Sequence, residues 1–407
     1  MEQVLLQETE RPIIPAQEKK QTKHSSERKP GLDALRAIAI LLVVWYHSFG
    51  ILKPLFTIPV IGQVFKKMYV ASTWIGPLGV DLFFVLSGFL IGSILIKIFL
   101  KEEQFTFKTI VNFWMRRWLR TVPNYYFMLV VCFLLYSYLY NTEFNWKYFL
   151  FIQNLTSAHP PFFGEAWSLA VEEWFYLTVP VALMIVNYLA KGSSKNRILL
   201  YTFSAYLILF ISLRFIKSLT GNDINLDTDI RKVVVFRLDA IMYGVIVALA
   251  FHNARTFLLK WKKPLAVIGL IGSFLAVAVV FMIFEKTNWY SDSSVVKLLI
   301  NSSFYTVMPI FFAMLLPHAV FVKKIKYRLL RDAVMHISLI SYSMYLIHYS
   351  LIYIPFFEKY ETSSISMSIL LYVTYWVLVF IVSAINYRFI EAPVMKLRNR
   401  ISPEKAH

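Results

Sequence analysis

A histidine near a carboxylate is the usual equipment for taking a proton from a hydroxyl group, and this chain puts both types inside otherwise apolar runs. Arg36 and His47 share the run 32–52 and stand eleven residues apart. On a helix that is ~16 Å of rise and about 20° of rotation, so both face one side. Asp81 opens the run 76–96, Glu172 and Glu173 lie early in 167–190, Arg237 and Asp239 open 233–251, and His348 sits in 335–355. Ionisable residues at membrane depth cost several kcal/mol unless paired or hydrated, so each is a functional candidate. Adjacent helical residues point about 100° apart, so only one of Glu172 and Glu173 can face a shared cavity squarely. The expected layout gathers His47, Asp81, one of that glutamate pair, Arg237, Asp239 and His348 at one depth.

The opposite end carries Arg36, Arg116, Arg117 and Arg120. Arg117 and Arg120 are neighbours on a helix surface, and guanidinium groups hold phosphates by paired, charge-assisted hydrogen bonds. A blander account also fits these residues. Arg36 would be a snorkelling anchor, His47 and His348 hydrogen-bonded core histidines, and the arginine cluster ordinary membrane anchoring. If the site is chemical, the histidine activates a hydroxyl for attack on a carbonyl, and the developing oxyanion needs donors. Ser87, Ser168 and Tyr345 are available for that role. No G-x-S-x-G elbow, P-loop, G-x-G-x-x-G or H-E-x-x-H motif occurs, which disfavours a serine hydrolase, an ATP-driven pump and a zinc protease.

The elements that position these residues are membrane helices. Of 407 residues, 58% are hydrophobic and only 16% charged, with mean hydropathy +0.57. A soluble domain holds about 25% charged residues. Ten apolar runs are read, near 32–52, 76–96, 121–140, 167–190, 198–213, 233–251, 264–284, 298–317, 335–355 and 365–385. The fold class is therefore all-α, a polytopic membrane protein with about ten spans. Residues 105–120, basic and aromatic together, read as an interfacial amphipathic helix ahead of the third span. Residues 1–30 read as a disordered basic tail and 394–407 as a second tail, both cytoplasmic.

Charge placement sets the orientation. With the N-terminus inside, 29 of the 42 Lys and Arg residues fall in inside segments and 11 in outside ones. That asymmetry predicts a multi-pass cell-membrane protein with both termini cytoplasmic. It also absorbs most of the +18 net charge, so nucleic acid is not an expected partner. The single cysteine, Cys132, excludes disulfides within the chain and cysteine-based metal sites. No metal site is expected.

At these residues the chain resembles the acyltransferase-3 family of integral membrane acyltransferases. GLDALR at 31–36 followed by His47 is similar to the family's arginine, ten residues, histidine signature. GVDLFFVLSGFL at 79–90, RRWLR at 116–120 with Pro123, and Trp167, Ser168 and Leu169 with Glu172, Glu173, Phe175 and Tyr176 are similar to further motifs. RLD at 237–239 with Gly244, SYSMYLIH at 341–348 and EAP at 391–393 complete a match covering 31–393. The resemblance implies acyl transfer, commonly of acetyl, from cytoplasmic acyl-CoA to a hydroxyl of an envelope, lipid-linked or secreted carbohydrate. It implies His47 as base with Arg36 its signature partner, Arg116, Arg117 and Arg120 on the CoA side, and Glu172 as an acid–base or orienting residue, with Glu173 and Asp81 beside it. Acyl-CoA would be a co-substrate, and no permanently bound cofactor is implied. Some relatives pass the acyl group to an appended extracytoplasmic esterase-like domain. The expectation here is the standalone form. Two rivals remain. Buried histidine and carboxylates also suit a transporter or acyl-group carrier, and a polysaccharide-export assembly partner would use them only for packing. Ser168, Arg237, Asp239, Tyr345 and His348 are supporting candidates, and His159 is given no role.

Overall fold

A run of some twenty apolar residues has few stable forms in lipid, because every backbone polar group must be satisfied internally. The computed structural model describes residues 29–221, 223–285, 289–360 and 362–401, and among these there is helix and no strand. In chain order the α-helices are α1 Pro30–Ser48, α2 Ile61–Ile75, α3 Leu78–Lys101, α4 Phe107–Tyr140, α5 Ala166–Leu189, α6 Lys195–Thr220 and α7 Leu238–Asn253. Then follow α8 Arg255–Glu285, α9 Trp289–Asp292, α10 Ser294–Phe321, α11 Arg328–Ile347, α12 Ile365–Asn386 and α13 Ala392–Ile401. The protein is all-α and multi-pass, with nine described segments long and apolar enough to cross a membrane.

The sixth expected span is the exception. α7 is 16 residues long, ~24 Å, which is short against a hydrocarbon core of about 30 Å. It has no need to meet lipid along its length, because an unbroken stretch from Leu238 to Val245 is buried against α3 and its neighbours. Glycine makes that approach possible. A Cβ on Gly88 would stand 1.9 Å from the Ile241 carbonyl oxygen, and one on Gly244 would stand 2.0 Å from that of Val85. Small residues at a helix crossing let backbones pack this closely in lipid.

Two more expectations are corrected. The amphipathic stretch 105–120 and the span 121–140 form one helix, α4, of 34 residues or ~51 Å. It starts where the Thr106 hydroxyl accepts from Thr109 N–H, and it carries Pro123 inside rather than at a break. Its inward face, with Phe113, Thr121, Asn124 and Tyr125, packs continuously, which favours helix straight through the proline. The stretch 53–75, expected as a loop, instead holds a 3₁₀ segment, Phe49–Thr57, and then α2. Phe49, Leu52 and Leu55 form a small separate core with Phe65 and Tyr69, which ties α2 to the end of α1. The first tail lies, apart from Lys29 and Pro30, outside the described residues, and beyond 393 the chain continues as α13.

α11 is prolonged by a π-helical segment, His348–Glu358. Ser338, Tyr342, Tyr345 and His348 recur at helical spacing, so α11 lays a polar stripe along the bundle from the level of Arg36 to that of His47. π-Helical turns inside longer helices are frequent at functional sites.

Candidate active site

His47 occupies the last turn of α1, and His348 the start of the π-helical segment. His348 Nδ1 lies 2.8 Å from the Tyr345 carbonyl oxygen and 3.1 Å from that of Met344. A nitrogen facing two carbonyl oxygens carries the proton, so His348 Nε2 presents a lone pair. That lone pair is 3.1 Å from His47 Nδ1, which also sits 3.0 Å from the Val43 carbonyl oxygen. His47 Nδ1–H therefore donates, and Nε2 of His47 is left as an acceptor. The network assigns this tautomer. His348 is fully buried, whereas His47 is only half-buried, with the Tyr349 ring centroid 4.2 Å from its own.

Both histidines line a cavity of about 810 Å³. That volume lies within the ~300–1,000 Å³ usual for small-molecule sites. Its wall includes Trp167, Arg231, Tyr345, Tyr349, His159 and Glu165. Tyr345 Oη is 2.6 Å from Ser168 Oγ and donates to the Glu165 carbonyl oxygen at 3.2 Å. The Glu165 carboxylate accepts from Ser350 N–H at 2.8 Å and from the Ser350 hydroxyl, while Ser350 Oγ accepts from Gly164 N–H at 3.0 Å. These bonds lock the start of α5 to the π-helical segment. Burial pushes the Glu165 carboxyl up to about 7 against the pull of the Ser350 donors. Arg231 stacks over Trp167 at 4.9 Å and pairs with Asp227, which Lys232 also reaches at 2.6 Å. Burial opposes ionisation of Asp227, but Arg231 and Lys232 outweigh it and hold the carboxyl down at about 2.

The other sequence candidates are not gathered there. Asp81 pairs with Arg237 in the interior, and Arg237 stacks on Tyr305 at 4.2 Å. Asp239 takes a two-pronged contact from Arg214, at 2.9 and 2.8 Å. Both pairs sit at zero to 2% side-chain exposure and clamp α3, α6, α7 and α10 together. Glu172 accepts from Arg117 at 3.3 Å and from the Tyr176 hydroxyl at 2.8 Å. Glu173 accepts from the Thr121 hydroxyl at 2.9 Å, and its second carboxylate oxygen is buried without a protein partner. Neither glutamate lines the histidine cavity. The expected cluster at one depth is thus resolved into a histidine pair and separate ion pairs, because each arginine nearby has drawn a carboxylate to itself.

Arg117, expected at the far end with Arg120, instead turns into the bundle onto Glu172 and the Tyr176 ring. Arg120 is exposed and Arg116 half-buried. Arg36 stands 3.6 Å from Asp33 and 3.5 Å from Ser338 Oγ, and the Ser338 hydroxyl donates to Asp33 at 2.8 Å. Sequence reasoning gave no role to Glu165, Arg231, Ser350 or His159. His159 and Glu165 lie ahead of α5, and Arg231 and Ser350 in short π-helical segments, where no regular helical periodicity marks them. Among the described residues no three His, Cys, Asp or Glu side chains converge as a metal-ligand set.

The acyltransferase-3 family model, described as an acyltransferase domain, matches residues 29–388. The chain belongs to this family. It is similar to the O-acetyltransferase OatA of Staphylococcus aureus (strain NCTC 8325 / PS 47), with 26% identity over 404 residues, 92% of this chain and 58% of the relative. It is also similar to the putative O-acetyltransferase SAS0844 of S. aureus (strain MSSA476), at 28% identity, 92% of this chain and 59% of the relative. The chain thus spans somewhat under three-fifths of the length of these curated relatives. No solved structure matches it.

Proposed function

We propose that the protein is a membrane O-acetyltransferase that moves an acetyl group from acetyl-CoA to a hydroxyl of a carbohydrate seated in the histidine cavity. The observation that carries this reading is the His47–His348 pair, which leaves a lone pair on His47 Nε2 at a cavity wall. In the proposed step the acceptor O–H gives its proton to His47 Nε2 as the oxygen bonds to the thioester carbonyl carbon. The tetrahedral intermediate then collapses, the C–S bond breaks, and the CoA sulfur takes the proton from the imidazolium. Tyr345 lines the same cavity and is assigned to the developing oxyanion, its one O–H proton turning there from the Glu165 carbonyl oxygen as the intermediate forms.

Arg36, Arg116 and Arg120 are assigned to the CoA phosphates at the other end of α1 and along α4, at the face read as cytoplasmic from the lysine and arginine distribution. Arg117 and Glu172 are assigned a positioning role between the two ends. The α11 stripe from Ser338 to His348 supplies a polar path about as long as the Arg36–His47 separation of ~16 Å, a reach suited to the pantetheine arm. The names of the two relatives, an O-acetyltransferase and a putative one, support acetyl as the group moved.

The test is acetyl-CoA turnover by the purified protein in nanodiscs, read as free thiol with and without envelope glycans. Glycan-dependent release that disappears in His47→Ala, with the fold intact, is the expected result. Equal release from both proteins removes His47 as the base. Absence of release from either across a broad glycan panel returns the carrier reading.

A further inference from the structure

A second cavity of about 800 Å³ lies on the lipid-facing flank of the bundle, bounded by α1, α2, α3, α8 and α10. It backs onto the histidine cavity at one corner. Ile75 and Leu78 face the groove, while Gly76 and Pro77 between them line the histidine cavity. One face of α2 forms a wall of the groove: Gln63, Lys66, Lys67, Val70, Ala71 and Trp74 recur at steps of three and four. The remaining lining is almost wholly apolar side chain from the four long helices. The two lysines are exposed, and no acidic residue among the described ones lines the groove. The chain from 34 to 80 holds no Asp or Glu at all, so α1, α2 and the turn between them offer these ammonium groups no carboxylate. An apolar trough with uncompensated cationic charge on one wall matches an amphiphile with a hydrocarbon tail and a negatively charged head.

We propose that this groove holds one membrane glycerophospholipid with an anionic headgroup, its acyl chain along the apolar trough and its phosphate on Lys66 and Lys67. Bulk bilayer lipid would wet the trough without preference, and the lysine pair is what makes the site selective. Each lysine near an anionic lipid surface is worth about fivefold in affinity, roughly 1 kcal/mol, so the pair predicts a preference of roughly thirtyfold. The occupant would brace α2 against α1 and α8 through Trp74, whose ring packs edge-on to Phe281 and Phe284.

Trp74 also serves as the reporter. The full chain in mixed micelles is titrated with phosphatidylglycerol or phosphatidylcholine carrying brominated acyl chains, and tryptophan quenching is followed. Trp74→Phe identifies the component that belongs to the groove. The expected result is quenching of that component at roughly thirtyfold lower mole fraction of phosphatidylglycerol than of phosphatidylcholine. Lys66→Glu with Lys67→Glu should abolish the difference, and Ala71→Phe, which fills the trough and leaves both lysines, should suppress quenching by both lipids. Equal quenching by the two lipids in the unmodified chain would reduce the groove to ordinary boundary lipid and overturn the proposal. So would a phosphatidylglycerol preference that survives the double lysine change. Relief of quenching by millimolar inorganic phosphate would mean a free-phosphate site and overturn the lipid assignment.

Discussion

Replacing His348 by alanine tests the chemistry at the point where the reading is most exposed. His348 touches His47 through one hydrogen bond of 3.1 Å and is itself anchored by two carbonyl oxygens, so its Nε2 lone pair is fixed in direction. In the proposed transition state His47 becomes an imidazolium, and that bond becomes charge-assisted. A hydrogen bond to a charged group is worth about 1.5–3 kcal/mol, which is about tenfold to 150-fold in rate. Val43 O stays within 3.0 Å of His47 Nδ1 and still holds the tautomer, so the expected loss in kcat lies toward the low end, about tenfold to thirtyfold. Loss of the proposed base, in His47→Ala, should cost about 10²–10⁴-fold. The ordering wild type, His348→Ala, His47→Ala is therefore fixed in advance. KM for acetyl-CoA should hardly move in His348→Ala, since the residue is remote from Arg36, Arg116 and Arg120. His348→Gln keeps an acceptor near the same place and should recover part of the rate. His348 is fully buried, so a thermal melt must accompany each assay to separate lost folding from lost chemistry. A folded His348→Ala protein with kcat within twofold of wild type would refute the paired-histidine argument.

Asp239→Ala strands Arg214 in the interior and should cost about 3–5 kcal/mol of stability, seen as a lowered melting temperature with kcat per folded molecule preserved. Asp81→Asn should act in the same direction through Arg237, more mildly because the amide still accepts a hydrogen bond. Gly88→Ala drives a methyl into the Ile241 carbonyl across the α3–α7 crossing and should cost about 1–3 kcal/mol or more, checked by the melt and by folded yield. Glu165 gives a pH dependence: its carboxyl is raised from 4.5 to about 7, so the folded state holds a proton that the unfolded chain has lost. Its contribution to stability is fully present below about 4.5 and is lost as pH rises to about 7, and Glu165→Gln should flatten that part of the curve in melts taken from pH 4 to 8.

Helix existence and type were legible because lipid leaves the chain few alternatives. The runs at 167–190, 264–284 and 298–317 became α5, α8 and α10 with ends moved by one to nine residues. The sixth run became the shorter α7 because hydrophobicity cannot tell a helix facing lipid from one packed against protein, and α7 is buried without a break from Leu238 to Val245. The break expected near 120 came from composition. Arg116, Arg117 and Arg120 look like a surface band, yet Arg117 finds Glu172 and Tyr176 within the bundle, so the helix need not stop at the headgroups. The spacing of Arg36 and His47 sets both on one face of α1, with His47 in its last turn, whereas the partnership of His47 with His348, 301 residues on, exists only where the two helices meet. Glu165 and Ser350 were illegible for the same reason, being joined over 185 residues through a backbone N–H.

The interior charges divide by whether a partner of opposite sign was within reach. Asp81, Asp239 and Glu172 each acquired an arginine, and a carboxylate so held is a poor proton acceptor and a good clamp. The two histidines met each other and backbone carbonyls, which satisfy N–H groups without neutralising any charge. Such a group keeps an available lone pair in an enclosed wall, and His47 lines the cavity. Glu173 stands between these cases, with one oxygen bonded to Thr121 and the other without a protein partner, close to the Arg117–Glu172 pair. If the acyl donor's arm runs along the α11 stripe, that free oxygen is where an amide N–H of the arm would donate. Glu173→Gln, which can still meet Thr121 but replaces the charge, should then raise KM for acetyl-CoA severalfold with little change in kcat. A Glu173→Gln protein with unchanged KM would place the arm elsewhere in the bundle.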